Sequence, residues 1–75
     1  MKTISEVSLH YEIYRMSKVI RLTGLSRSSI YRLEALGHFP RRVKLSASAS
    51  GWRSDEVQAW IASRPRSIAQ KEVAQ

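Results

Sequence analysis

The sequence predicts a small, mainly α fold carrying one β-hairpin, and three observations predict it. Seventy-five residues suffice for one domain and leave no room for a second. Gly24, Gly37 and Pro40 divide the first half of the chain into pieces the length of short helices. After Pro40 the helical spacing gives way to an alternating run, Arg42-Val43-Lys44-Leu45. A chain this short buries only roughly 60 to 65% of its unfolded surface. Most of its 43% apolar residues are therefore needed to close a core, and an elaborate internal pocket is not expected.

Taken in order, residues 7–14 alternate apolar and polar, with Val7, Leu9, Tyr11 and Ile13 on one side, which suits an extended segment. This segment ends an N-terminal arm, residues 1–12, in which Lys2 is outweighed by Glu6 and Glu12. Ser17 is placed to cap a first helix over 18–23, and Gly24 supplies the left-handed residue that ends it. Ser26 caps a second helix over 27–36, stopped by Gly37 ahead of Pro40. The strand at 42–45, a flexible tip over 46–51 and the return through Trp52 and Arg53 make the hairpin. Ser54 then caps a third helix whose first turn carries Asp55 and Glu56, where carboxylates meet the positive end of the helix dipole. Val57, Trp60 and Ile61 form its buried stripe and Pro65 closes it. The folded domain is thus expected over 13–64, and residues 65–75, with Ile68 and Val73 their only larger aliphatics, read as a flexible tail.

Charge separates the chain more sharply than hydropathy does. Thirteen Lys and Arg against six Asp and Glu give +7 and an isoelectric point near 10.6. Between Arg15 and Arg53 there are nine cations against one acid, Glu34, so the whole excess lies in this central stretch. A scattered excess would serve solubility; a confined one makes a face that attracts polyanions. The second helix offers that face. Wound at about 100° per residue, it places Ile30 and Leu33 inward and Ser28, Tyr31, Arg32 and Ala35 outward, with Arg27 and Ser29 on the flanks. Arg can grip guanine O6 and N7 with two hydrogen bonds, Ser can donate or accept, and a small residue admits a thymine methyl. Free amides at the helix start, with the hydroxyls of Ser26 and Ser28, suit a phosphate oxygen. Arg41, Arg42, Lys44 and Arg53 on the hairpin and its flanks are the next candidates for phosphate contacts, with Arg42 and Lys44 expected to project together, opposite an inward-packed Val43 and Leu45.

Other chemistries find little footing. No cysteine is present, which removes disulfides, thiolate catalysis and sulfur-based zinc sites. His38 is a loop residue with no second ligand at a suitable spacing, so no metal or other cofactor is expected. No nucleophile has a base placed by spacing and no Gly-rich phosphate loop occurs, which argues against an enzyme. Trp52, Trp60, Tyr11, Tyr14 and Phe39 read as core rather than as stacking platforms for bases. No apolar run reaches membrane-spanning length and no secretion signal opens the chain, so a cytoplasmic protein without membrane attachment is expected.

The string Thr23-Gly24-Leu25-Ser26-Arg27-Ser28-Ser29-Ile30-Tyr31-Arg32-Leu33, with Gly37-His38-Phe39-Pro40, Val43-Lys44-Leu45 and Gly51-Trp52-Arg53-Ser54-Asp55-Glu56-Val57, resembles the AlpA family. These are small phage and prophage regulators related to MerR-like and excisionase DNA-binding domains. The resemblance implies a winged helix-turn-helix, with Arg27, Ser28, Ser29, Tyr31 and Arg32 entering the major groove of double-stranded DNA and the hairpin as the wing. It implies a bacterial, nucleoid-associated transcriptional regulator, of integrase genes in some members, or an excision factor that bends attachment-site DNA. Binding as a monomer, as a self-associated dimer or as a cooperative row is compatible with it. The chain departs from the family in one respect: the wing tip, Ser46-Ala47-Ser48-Ala49-Ser50, is uncharged, which leaves Lys44 and Arg53 at its base to clamp phosphate. From another class, a protein-interaction adaptor would hold its partner through the arm and tail.

Overall fold

The computed structural model describes residues 11–67. Six elements follow one another: β1 (Ile13–Tyr14), α1 (Met16–Thr23), α2 (Arg27–Ala35), β2 (Val43–Ser46), β3 (Ala49–Arg53) and α3 (Ser54–Ala62). The mainly α class, with helix, turn, helix, hairpin and helix in that order, is as expected. The most N-terminal residues of the arm and the last residues of the tail lie outside the described residues. Of the extended segment expected over 7–14, the strand Ile13–Tyr14 falls within them.

The turn between α1 and α2 is built from local signals. Gly24 takes the left-handed conformation at φ 77° and its N–H bonds to the Ile20 carbonyl at 2.8 Å. The Thr23 hydroxyl donates to the Val19 carbonyl and accepts from the Leu25 N–H, tying the turn to the last turn of α1. Ser26 caps α2 as expected, its Oγ accepting from the Ser29 N–H at 3.2 Å. At the other end His38 N–H reaches Leu33 O and Gly37 N–H reaches Glu34 O, with Gly37 at φ 81°. This is the paired bonding of a Schellman stop, which only a residue free to adopt positive φ makes without strain.

Two caps differ from the sequence expectation. Helix α1 begins at Met16, with Arg15 in extended conformation before it and no side-chain cap, so Ser17 lies inside the first turn. The cause is tertiary: Tyr14 is paired to Trp52, and the chain must turn immediately after it. Ser54 is likewise the first residue of α3, with Arg53 at the cap position. Its buried side chain instead accepts the Glu12 N–H at 2.9 Å while its own N–H bonds to the Glu12 carbonyl at 2.8 Å. These bonds extend the docking of β1 onto β3.

The sheet runs β1-β3-β2, all antiparallel, with Ile13 opposite Arg53 and Val43 opposite Gly51. The hairpin tip is tighter than a six-residue flexible loop, because pairing continues to Ser46 opposite Ala49 and leaves Ala47 and Ser48 to turn. The register shifts between Lys44 and Ser46. That irregularity breaks the alternation of the strand, and Leu45, expected to pack inward with Val43, is exposed.

Tyr14, Val19, Ile30, Phe39, Trp52 and Val57 close the core, with Leu25, Leu33, Trp60 and Ile61 packed half-buried around it. Trp52 is fully enclosed, its indole N–H donating to the Pro40 carbonyl at 3.0 Å and its ring meeting Phe39 edge-on. The α3 stripe is buried fully at Val57 and only partly at Trp60 and Ile61. Tyr11 corrects the core expectation: it is exposed, and the Arg53 guanidinium lies 4.1 Å from its ring centroid. No helix among the described residues is long and apolar enough to cross a membrane.

Candidate nucleic-acid interface

Burial of Ile30 fixes the rotation of α2, and the opposite side of the helix is thereby turned to solvent. Ser28, Tyr31, Arg32 and Ala35 are all exposed there, and Arg27 is exposed on the flank. Ser26 and Ser29 are occupied differently, for the Ser26 hydroxyl donates to Ser29 Oγ at 3.1 Å besides accepting the Ser29 N–H. Both bonds hold the helix start.

Tyr31 is anchored at its base and open at its edge. Its ring centroid is 6.5 Å from that of Trp52, and the Arg42 guanidinium stands 4.9 Å from it on the hairpin side. Arg42 is positioned by Glu34, whose carboxylate accepts the Arg42 backbone N–H at 2.8 Å and pairs with its guanidinium at 3.2 Å. One acid on α2 thus sets where the hairpin departs. The Arg42 side chain stays 44% exposed, so donors of its guanidinium remain for another acceptor. Arg41, Arg42 and Lys44 line an open cleft with Tyr31, Ala35 and Ser50, directly beside the outward side of α2.

Arg53 does not line that cleft but shares a neighbouring groove with Arg41 and Arg42. Its Nε and Nη2 donate to the two carboxylate oxygens of Asp55 at 3.1 and 3.0 Å, and it borders a groove over α3 with Glu56, Ala59 and Trp60. The hydrogen bonds from Arg53 hold the Asp55 carboxyl below the usual carboxylate range, aided by its positive charge. The same bonds raise the Arg53 guanidinium above its ordinary value. Its fork is committed to a neighbour within its own chain.

The structure also brings together residues that the sequence reading did not join to the site. Arg15, Ser17, Ser48 and Ser50 line a second hollow with Arg27 and Tyr31, where the start of α1, the start of α2 and the hairpin meet. The charge count includes Arg15 in the basic stretch, but no spacing rule places it beside Arg27. Only the return of β3 past β1 does so.

A helix pair on a tight turn, its second helix exposed on a basic side and flanked by an antiparallel hairpin, defines a winged helix-turn-helix protein. The family model described as prophage CP4-57 regulatory protein (AlpA) matches residues 12–65. The chain belongs to this AlpA family of prophage regulatory proteins. It is also similar to the uncharacterized protein ORF88 of Enterobacteria phage P4, 46% identical over 50 residues, a stretch covering 67% of this chain and 57% of that relative. The chain therefore matches little more than half the length of that phage protein.

Proposed function

We propose that this protein is a sequence-specific reader of double-stranded DNA that regulates transcription in a phage, prophage or integrative element. The observation that carries the reading is the outward side of α2, where Arg27, Ser28, Tyr31 and Arg32 stand exposed next to the Arg41, Arg42 and Lys44 cleft. A helix about 10 to 12 Å across fits a major groove about 12 Å wide. With α2 seated there, Arg32 and Ser28 reach base edges while the cleft cations meet the backbone, so readout and positioning come from adjoining surfaces. Arg53 is the weaker phosphate candidate, because Asp55 takes two of its donors.

Selection from a pool of random duplexes tests this, followed by footprinting of the enriched site and of the DNA flanking the protein's own gene. The expected result is one enriched sequence, protected on one face over a major groove. Retention of duplex without any enriched sequence would remove the claim of specificity.

A further inference from the structure

A hollow of about 390 Å³ opens where the start of α1, the start of α2 and the hairpin converge. Two cations line it, Arg15 and Arg27, and among the described residues neither has a carboxylate within ion-pair distance. In this they differ from Arg42 and Arg53, which Glu34 and Asp55 occupy. Two guanidiniums bordering one concavity repel each other until an anion comes between them.

Neutral donors complete the lining. Ser17 comes from α1, Ser48 from the hairpin tip and Ser50 from β3, so the hydroxyls approach from three elements. Helix α1 begins without a side-chain cap and without an acid in its first turn. Its bonded amides are those of Lys18 and Val19, both to the Arg15 carbonyl, while Met16 and Ser17, ahead of them, also line the hollow. These groups all favour one ligand chemistry, a tetrahedral oxyanion. The position decides its source. Tyr31 and Ser50 line both this hollow and the Arg41, Arg42 and Lys44 cleft, so they form a ridge between two basic depressions beside the outward side of α2. A polyanion lying along α2 crosses both.

We propose that this hollow seats one phosphate of the DNA backbone, with Arg15 and Arg27 as its charge partners and Ser17 and Ser50 as neutral donors. The seat rests on the duplex-DNA reading above and adds to it a contact that locks the register of α2, since Arg27 belongs to that helix and Arg15 to the segment before α1. Arg15 is thus a binding residue drawn from outside both helices of the helix-turn-helix pair.

The test is a salt titration by fluorescence anisotropy on a random-sequence duplex with the full chain, in wild type, Arg15→Gln, Arg15→Lys and Arg66→Gln. Arg66 is exposed beyond α3 and lines none of the hollows described, so its variant controls for net charge alone. Loss of one phosphate contact makes the log–log slope shallower by about 0.9. The expected result is that change for Arg15→Gln and an unaltered slope for Arg66→Gln. Arg15→Lys is expected to keep the wild-type slope yet bind several-fold more weakly, because a point charge replaces the fork. Thermal unfolding midpoints equal to wild type establish that the variants are folded. If wild type binds duplex steeply with salt while Arg15→Gln and Arg66→Gln shift the slope alike, the seat is wrong and the duplex reading stands. Wild type that binds no duplex overturns both.

Discussion

Arg32 and Lys44 are both exposed cations, and the proposed reading of duplex DNA gives them different parts. Arg32 rises from the side of α2 opposite Ile30, where a groove would place base edges, and among the described residues no carboxylate engages it. Lys44 lines the cleft at the base of the hairpin, where a point charge would meet phosphate from any sequence. Arg32→Ala is therefore expected to cost about 1 to 3 kcal/mol on the selected duplex and much less on random DNA. Lys44→Ala should weaken both by the same factor. Paired anisotropy titrations check this, and equal losses for Arg32→Ala on the two duplexes would refute a base-reading role. The outward placement of Arg32 was legible because one buried residue, Ile30, fixes the rotation of a helix. The exposure of Tyr11 beside Arg53 was not, because it arises where the residues just before β1 meet the end of β3. The Arg53–Asp55 pair is local yet was missed as well, because the sequence reading gives Asp55 only the helix dipole as a partner.

At the scale of elements, signals confined to a few neighbouring residues read true and those that depend on docking did not. Gly24, Ser26 and Gly37 punctuate α1 and α2 through bonds within one turn. Ser17 and Ser54 look equally like caps, but β1 dictates where α1 starts and takes the Ser54 hydroxyl for itself. So short a strand carries almost no pattern of its own; what holds it is the close approach at Gly51. A Cβ there would run into the Ile13 side chain and stand 2.9 Å from the Tyr14 carbonyl oxygen. Gly51→Ala is expected to push β1 off β3 and destabilise the fold by about 1 to 3 kcal/mol, read as a lowered midpoint in thermal or urea unfolding. A wild-type midpoint would show that β1 yields without cost. The junction of β3 and α3 makes a second prediction. Arg53 holds the Asp55 carboxyl below its ordinary range, so the folded state resists protonating it. That contribution is complete above the ordinary carboxylate range and fades as pH falls through and below it. Asp55→Asn should lower the midpoint at neutral pH and flatten its decline in acid. Both side chains are more than a third exposed, so the effect is small and fades with added salt.

For the molecule as a whole, the distribution of charge matters more than its sum. Of the acids between β1 and the end of α3, Glu34 and Asp55 are each bound to an arginine, so they pin elements together instead of shielding the outward side of α2. The confinement of positive charge to 15–53 was legible by counting, whereas the gathering of five of its cations into two hollows on either side of Tyr31 and Ser50 needed the fold. The gathering sets a magnitude. Arg41, Arg42 and Lys44 lie in one hollow and Arg15 and Arg27 in the other, where the proposed seat has the last two share one phosphate, which makes four phosphates in all. Each neutralised phosphate releases condensed counterions, so four contacts give a log–log slope of about −3.6 and a loss of affinity of about 150-fold between roughly 50 and 200 mM salt. Anisotropy on a random duplex measures it directly. A slope shallower than about −2 would mean that at most two of the four contacts form, and that the chain meets DNA through one hollow or by another side altogether. A slope near the full value, retained when the uncharged hairpin tip is shortened, would place the attraction in the two hollows rather than in the tip.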